Sequence, residues 1–206
     1  MFLWFGLIFL AIGLGCFAVD RRAVHVIHAR ISQANHKRLW RITDWAKGAY
    51  WLTISVSAFL IAQLAMWLRG PSPFLQRLST IALAYLACLA VGSAILHTLK
   101  LVLGRRRPRD ELEMNLYGFR AFRFELQYDS FPSGHSLTIC CVAVMATVIW
   151  AGLVGVWLAI ALYLSLTRAL LNAHFLSDVF IGAGIGLLAS RETLLYLFPT
   201  LFQPWF

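Results

Sequence analysis

Lys100 and Arg107 stand seven residues apart, so on a continuing helix they share one face, two turns from each other. Two cations on one face suit a bound phosphate; the competing reading is a snorkelling lysine with topogenic arginines at a helix end. Pro108 then discourages the helix from continuing. Pro132-Ser133-Gly134-His135 directly precedes a long apolar run. Serine is a favoured N-cap, glycine lets a ligand approach the backbone, and the free N–H groups of a helix start form an anion site. His135, in the first turn, can donate a proton to whatever binds there; the alternative is an ordinary cap followed by an incidental histidine. His174 and Asp178 are four apart and share a helical face. A carboxylate at that spacing holds one imidazole nitrogen and leaves the other free as a nucleophile. Arg168, at the end of the preceding helix, reaches the same place. The His–Asp pair also reads as a structural hydrogen bond or a zinc pair. Zinc lacks a third ligand other than His135, and three neighbouring cations repel a metal.

These side chains need a scaffold that brings them together, and the composition points to a membrane. Of the 206 residues, 60% are hydrophobic, against about 45–50% in soluble domains. No charged residue occurs in Met1–Val19, Gly48–Leu68, Leu78–Leu99 or Ser130–Thr167. A span needs about 20 apolar residues, so the first three runs cross once each. The fourth reads as two helices joined at a tight turn around Trp150–Gly155. A last segment from His174 to about Phe198 completes six spans, over 1–19, 49–68, 79–103, 134–150, 153–171 and 174–197. The expected fold is therefore all-α, a single membrane domain over 1–206 with six transmembrane helices and one active-site face. If the spans alternate in direction, the end of the third, the start of the fourth and the turn between the fifth and sixth meet on that face. Charges at membrane depth cost about 2.5–3.5 kcal/mol each, which makes their convergence informative.

The first run lacks a basic leader and a small-residue cleavage site, so it reads as a retained helix. Trp4, Trp51, Trp67 and Trp150 fall at expected helix ends, where interfacial belts lie. The net charge is +9, and the basic residues flank the spans, so anionic lipid headgroups are expected as partners and nucleic acid is not. Cys16, Cys88, Cys140 and Cys141 show no metal-ligand spacing and read as small core residues. The segment Asp20–Lys47 carries Val24, Ile27, Ile31 and Ala34 at helical spacing, which suggests an amphipathic helix in the membrane surface or else a basic connecting loop. Gly104–Pro132 is long for a connector, and its stretch Phe119–Phe124 alternates aromatic and basic residues. Arg120 and Arg123 there are candidate headgroup contacts, or they anchor the loop. Gly182 and Gly186 have the small-xxx-small spacing of close helix packing.

Lys100-x6-Arg107-Pro108, Pro132-Ser133-Gly134-His135 and Arg168-x5-His174-x3-Asp178, in this order, resemble the three signature motifs of the type 2 phosphatidic acid phosphatase family. The match covers about the last half of the chain. Thr167 departs from the family's usual serine, although both residues offer a hydroxyl. The resemblance implies a phosphatase in which His174 attacks phosphorus and forms a phosphohistidine, with Asp178 supporting the imidazolium. His135 protonates the leaving oxygen and then activates water. Lys100, Arg107, Arg168 and the amides near Ser133–Gly134 hold the phosphate oxygens, and neither a cofactor nor a metal is required. Similar bacterial enzymes act on phosphatidylglycerol phosphate, polyprenyl diphosphate, phosphatidic acid or lipid A phosphates, with the site facing the periplasm from the inner membrane. Charge counting disagrees about sidedness. The loop after the first span carries seven Lys/Arg, whereas the opposite face has only Arg69, Arg77 and Arg191, so the positive-inside rule puts the site in the cytoplasm. The competing classes are a lipid phosphotransferase using the same histidine, a vanadate-dependent oxidase, and a transporter or lipid-binding protein. Transporters favour repeats and helices broken at the midplane, and here the polar residues cluster at helix ends.

Overall fold

The computed structural model describes residues 1–122 and 128–206. Among them the chain forms α1 (Phe2–Cys16), α2 (Asp20–Arg30), α3 (Gln33–Thr43), α4 (Gly48–Arg69), α5 (Pro73–Leu103), α6 (Pro108–Met114), α7 (Gly134–Ile149), α8 (Val154–Leu170) and α9 (Leu176–Leu197). The all-α expectation holds. Among the described residues, four stretches are long and apolar enough to cross a bilayer: residues 33–69 (α3 into α4), α5, residues 151–170 (α8 with its leading turn) and α9. Helices α1 and α7 have 15 and 16 residues, shorter than the 20 or so that a full crossing takes.

Local chemistry explains most of the boundaries. Helix α5 starts at Pro73, six residues before the expected 79, because the Ser72 hydroxyl accepts the Leu75 amide and Pro73 occupies a first-turn position. It ends at Gly104, whose φ of 48° is left-handed; a Cβ there would lie 2.3 Å from the Arg120 carbonyl. The expected amphipathic segment is two helices. The chain becomes extended at Ile31, and Ser32 recaps it by accepting the Asn35 amide at 3.3 Å. Helix α2 bends 87° from α1, so it runs across the direction of α1. Helix α3 instead continues through a short 3₁₀ turn into α4. Pro108 stops one helix and, at a first-turn position, starts the next, α6.

Helix α9 is the axis of the bundle. It packs against α1 along its length and also touches α5, α7 and α8. Small residues make this possible. A Cβ on Gly182 would lie 2.3 Å from the Ser133 carbonyl oxygen, and one on Gly186 would lie 2.6 Å from that of Leu137. The backbones of α7 and α9 thus touch where the sequence spacing suggested close packing. Cys88, Cys140 and Cys141 are buried in this core, and Cys16 is half-buried.

Candidate active site

The three motifs meet at one end of the bundle. Ser133 caps α7, accepting the Ser136 amide at 3.5 Å, which sets His135 in the first turn. The Ser133 N–H donates to the Asp178 carbonyl at 3.0 Å, and the whole residue is buried. Ser133 therefore ties α7 to α9, and the expectation that its amide holds phosphate is not met. The amides of Gly134 and His135 have no acceptor among the described residues. His135 Nε2 is buried and likewise has no partner there.

His174 sits in the loop between α8 and α9. Its N–H and that of Ala173 donate to the Arg168 carbonyl at 3.3 and 3.0 Å, while Asn172 takes a left-handed φ of 53° to turn the chain. The imidazole is oriented otherwise than the i, i+4 spacing suggested. Nδ1 donates to the Ser130 carbonyl at 2.7 Å, and the nearest Asp178 oxygen is 3.8 Å away. A carbonyl only accepts, so the proton is on Nδ1 and the Nε2 lone pair is free. Burial pushes the His174 pKa below the ordinary histidine value, outweighing the upward pull of Asp178.

Asp178 is occupied elsewhere for a structural reason. It is fully buried, and it accepts the Ser130 hydroxyl at 2.6 Å, the Phe175 amide at 2.9 Å and the Arg105 guanidinium at 2.5 Å. At the third position of α9 it reaches back to the N-cap amide, the acidic half of a capping box. Ser130 thus donates its hydroxyl to Asp178 and accepts the His174 Nδ1–H on its carbonyl.

Arg105 and Asp20 were not singled out in the sequence, yet they anchor this arrangement. Arg105 has no exposed surface. It donates to Asp20 at 2.8 Å, to Tyr117 at 2.7 Å and to Ser177 at 2.6 Å, besides Asp178. Its guanidinium lies 4.2 Å from the Phe175 ring centroid and 4.9 Å from that of Phe17, a stacked and desolvated setting suited to arginine. Asp20 in turn accepts the Ser177 amide at 3.1 Å. One cation thus faces two buried carboxylates. The signal for Asp20 was present: it is the only acidic residue before Asp44, and it directly follows an apolar run.

Lys100 and Arg107 do not share a helix, because α5 ends between them. Both nevertheless reach one carboxylate, that of Asp129. Lys100 pairs with its Oδ1, and Arg107 donates to Oδ2 at 3.3 Å. Asp129 was also missed; its two carboxylate oxygens occupy the two cations. Arg168 is buried at the end of α8, within electrostatic range of Arg107, while Lys100 and Arg168 both act on His174 and His135 lies within range of Arg168 and His174. The Thr167 hydroxyl donates to the Leu164 carbonyl and lies 2.9 Å from the Thr43 hydroxyl, docking α8 on α3. Arg120 is exposed and meets the site through its backbone, donating to the Gly104 carbonyl at 2.7 Å. Arg123 lies outside the described residues.

Among the described residues, one cavity lies beside this end and another opens onto it. An apolar one of about 570 Å³ lies between α4, α5, α7 and α8, with Trp45 and Trp51 at one end and Trp150 and Trp157 at the other. A polar one of about 990 Å³ opens between α2–α3 and α6 and contains Arg107 and Arg168 in its wall.

The PAP2 superfamily model matches residues 81–201. Lipid A 1-phosphatases from Rhizobium etli and Rhizobium johnstonii are each 33% identical to the chain over 104 residues, 50% of this chain and 45% and 43% of theirs. The chain spans less than half the length of these curated relatives. In fold it resembles the crystal structure of a transmembrane PAP2-type phosphatidylglycerolphosphate phosphatase from Bacillus subtilis, with a TM-score of 0.61 at 19% identity over 100% of this chain and 97% of that one. Apolar spans and this kinship make the protein integral to a membrane. Because the matched region contains all three motifs whose side chains meet at one end of the bundle, the chain belongs to the PAP2 superfamily.

Proposed function

We propose that the protein is a membrane lipid phosphatase working through a phosphohistidine. One observation carries the reading: a buried histidine whose Nδ1 is tied to the Ser130 carbonyl lies within range of Lys100 and Arg168, with His135 beside it. Nε2 of His174 attacks phosphorus, and the P–O bond to the lipid breaks as His135 gives that oxygen a proton. The three cations and the Gly134 and His135 amides stabilise charge on the equatorial oxygens. The imidazole becomes cationic as the P–N bond forms; the Ser130 carbonyl and the nearby Asp178 carboxylate favour that charge. Water, losing a proton to His135, then attacks phosphorus, the P–N bond breaks, and inorganic phosphate leaves. Asp178 acts at 3.8 Å and through Ser130 rather than by direct hydrogen bond.

The apolar cavity supports a lipid as substrate, since its wall comes within about one helical turn of His135 at Ile139 and of Arg168 at Leu164, leaving room for a tail beside the site. Phosphatidylglycerol phosphate, polyprenyl diphosphate, phosphatidic acid and lipid A phosphates are the candidates, and the likeness to lipid A 1-phosphatases favours the last. The expected result is phosphate release by the purified protein in detergent, in the presence of chelator, from at least one of these four. Release from none of them, with transfer of phosphate to a second lipid instead, would replace hydrolysis by phosphotransfer.

In this reading α1 and α7 also cross the bilayer, giving six spans, and the site faces the periplasm from a bacterial inner membrane. Part of the cationic excess on that face is engaged in the fold: Arg21 pairs with Glu111 at 2.9 Å, Lys47 with Asp44 at 2.7 Å, and Arg105 is buried. A cysteine placed at exposed position 37 is expected to react with a membrane-impermeant thiol reagent in spheroplasts. Protection there, relieved on lysis, would put the site in the cytoplasm.

A further inference from the structure

Asp129 directly precedes Ser130, the residue that holds both His174 and Asp178, and its backbone is pinned on either side. The Arg105 N–H donates to the Tyr128 carbonyl at 2.9 Å, and the Ser130 N–H donates to the Arg105 carbonyl at 3.1 Å. These bonds bracket Asp129 in a short bridge with Arg105. Side chains along bridged, strand-like backbone alternate between opposite faces. The Ser130 hydroxyl accordingly goes to the buried Asp178, and the Asp129 carboxylate goes to Lys100 and Arg107.

The grip on the two cations is unequal. Lys100 has two anchors on Asp129: it pairs with Oδ1, and it also donates to the backbone carbonyl at 2.7 Å. That carbonyl is fixed by the bridge. Arg107 meets Oδ2 at 3.3 Å, long for a charge-assisted hydrogen bond, and the two side chains are 40% and 37% exposed. Pairs this exposed contribute only about 0–1 kcal/mol. The carboxylate turns about two side-chain torsions without disturbing the backbone. It therefore leaves both cations at small cost, and Lys100 stays in place on the carbonyl.

A carboxylate and a phosphate accept the same N–H donors, so Asp129 and a phosphate held by Lys100 and Arg107 exclude one another. A phosphate ester carries a charge of about −1.5 to −2 near pH 7, and a lipid ester adds the burial of its tail. Free phosphate has no tail to add. The carboxylate yields to the ester and competes better against the product.

We propose that Asp129 is a phosphate-release residue, whose carboxylate turns aside for the lipid ester and returns to Lys100 and Arg107 as inorganic phosphate departs. The proposal rests on the phosphatase reading and adds a release step to it. Without that carboxylate, the cations would retain free phosphate and block the next substrate.

The sign of one effect tests it. Inorganic phosphate is titrated calorimetrically into the whole chain carrying His174→Ala, in detergent, with and without a second change at position 129. Asp129→Asn and Asp129→Ala are each expected to tighten phosphate binding about tenfold, about 1.4 kcal/mol. In the protein with His174 intact, the same two changes are expected to make phosphate a tighter product inhibitor by a similar factor. A residue that only positions the cations predicts the opposite, because its loss would loosen Arg107 and weaken binding. Unchanged or weaker phosphate binding in both variants would overturn the release role. Tighter binding in a protein that releases phosphate from no lipid would uphold the competition at the cations and sink the phosphatase reading, and with it the release step.

Discussion

Replacing His174 with alanine is expected to reduce phosphate release from a lipid phosphate by about 10⁴-fold or more, the scale on which a lost nucleophile acts. Affinity for the same lipid is expected to change little. The cations that would hold phosphate come from α5, from the start of α6 and from α8, and none depends on the imidazole for its position: Lys100 and Arg107 are held by Asp129, and Arg168 is buried at the end of α8. The split between rate and binding is the informative readout. Parallel loss of both would make His174 structural, and full activity would remove it from the mechanism. The nucleophile's readiness comes from two features beyond its identity. The Ser130 carbonyl accepts the Nδ1–H at 2.7 Å and fixes the tautomer, and burial pushes the ring's pKa down.

The second large effect is expected at Arg105, which touches no reacting atom. Arg105→Met leaves Asp20 and Asp178 buried without their shared cation, and breaking a buried pair of this kind costs about 3–5 kcal/mol. Thermal unfolding in detergent should register that loss. In the protein that remains folded, kcat is expected to fall while KM holds, because Arg105 acts by fixing Asp178, and through Ser130 the His174 ring, and not by contact with phosphate. Adding Asp20→Asn removes one of the two stranded carboxylates. The double variant should therefore regain part of the stability without regaining kcat. Recovery of both together would mean that Arg105 serves the fold alone, and an unchanged melting profile in the single variant would contradict the buried ion cluster itself.

The parts of this site legible in the chain are those set within a few residues of one another. Ser133 before an apolar run predicted the start of α7, and the helix begins at Gly134 because the serine side chain meets the Ser136 amide. Gly182 and Gly186 predicted a close approach, which occurs because nothing larger than hydrogen fits against the carbonyls of Ser133 and Leu137. The i, i+4 spacing of His174 and Asp178 promised a contact that is not a hydrogen bond, since His174 precedes α9 and lies off its regular face. Lys100 and Arg107 were assigned one helix face, and they converge instead on a carboxylate beyond a loop.

What the sequence determined by itself is the apolar patterning, the helical class and the three motifs with their candidate chemistry, because spans, caps and turns follow from neighbours along the chain. How His174 is held follows instead from contacts between segments far apart in the chain. Asp20 and Arg105 are 85 residues apart, Arg105 and Asp178 are 73, and Ser130 and His174 are 44. Pairs so distant have no periodicity to betray them. They form because a bundle wound around α9 brings the end of α1, the loop after α5 and the start of α9 to one buried point, where every charge and polar group must find a partner.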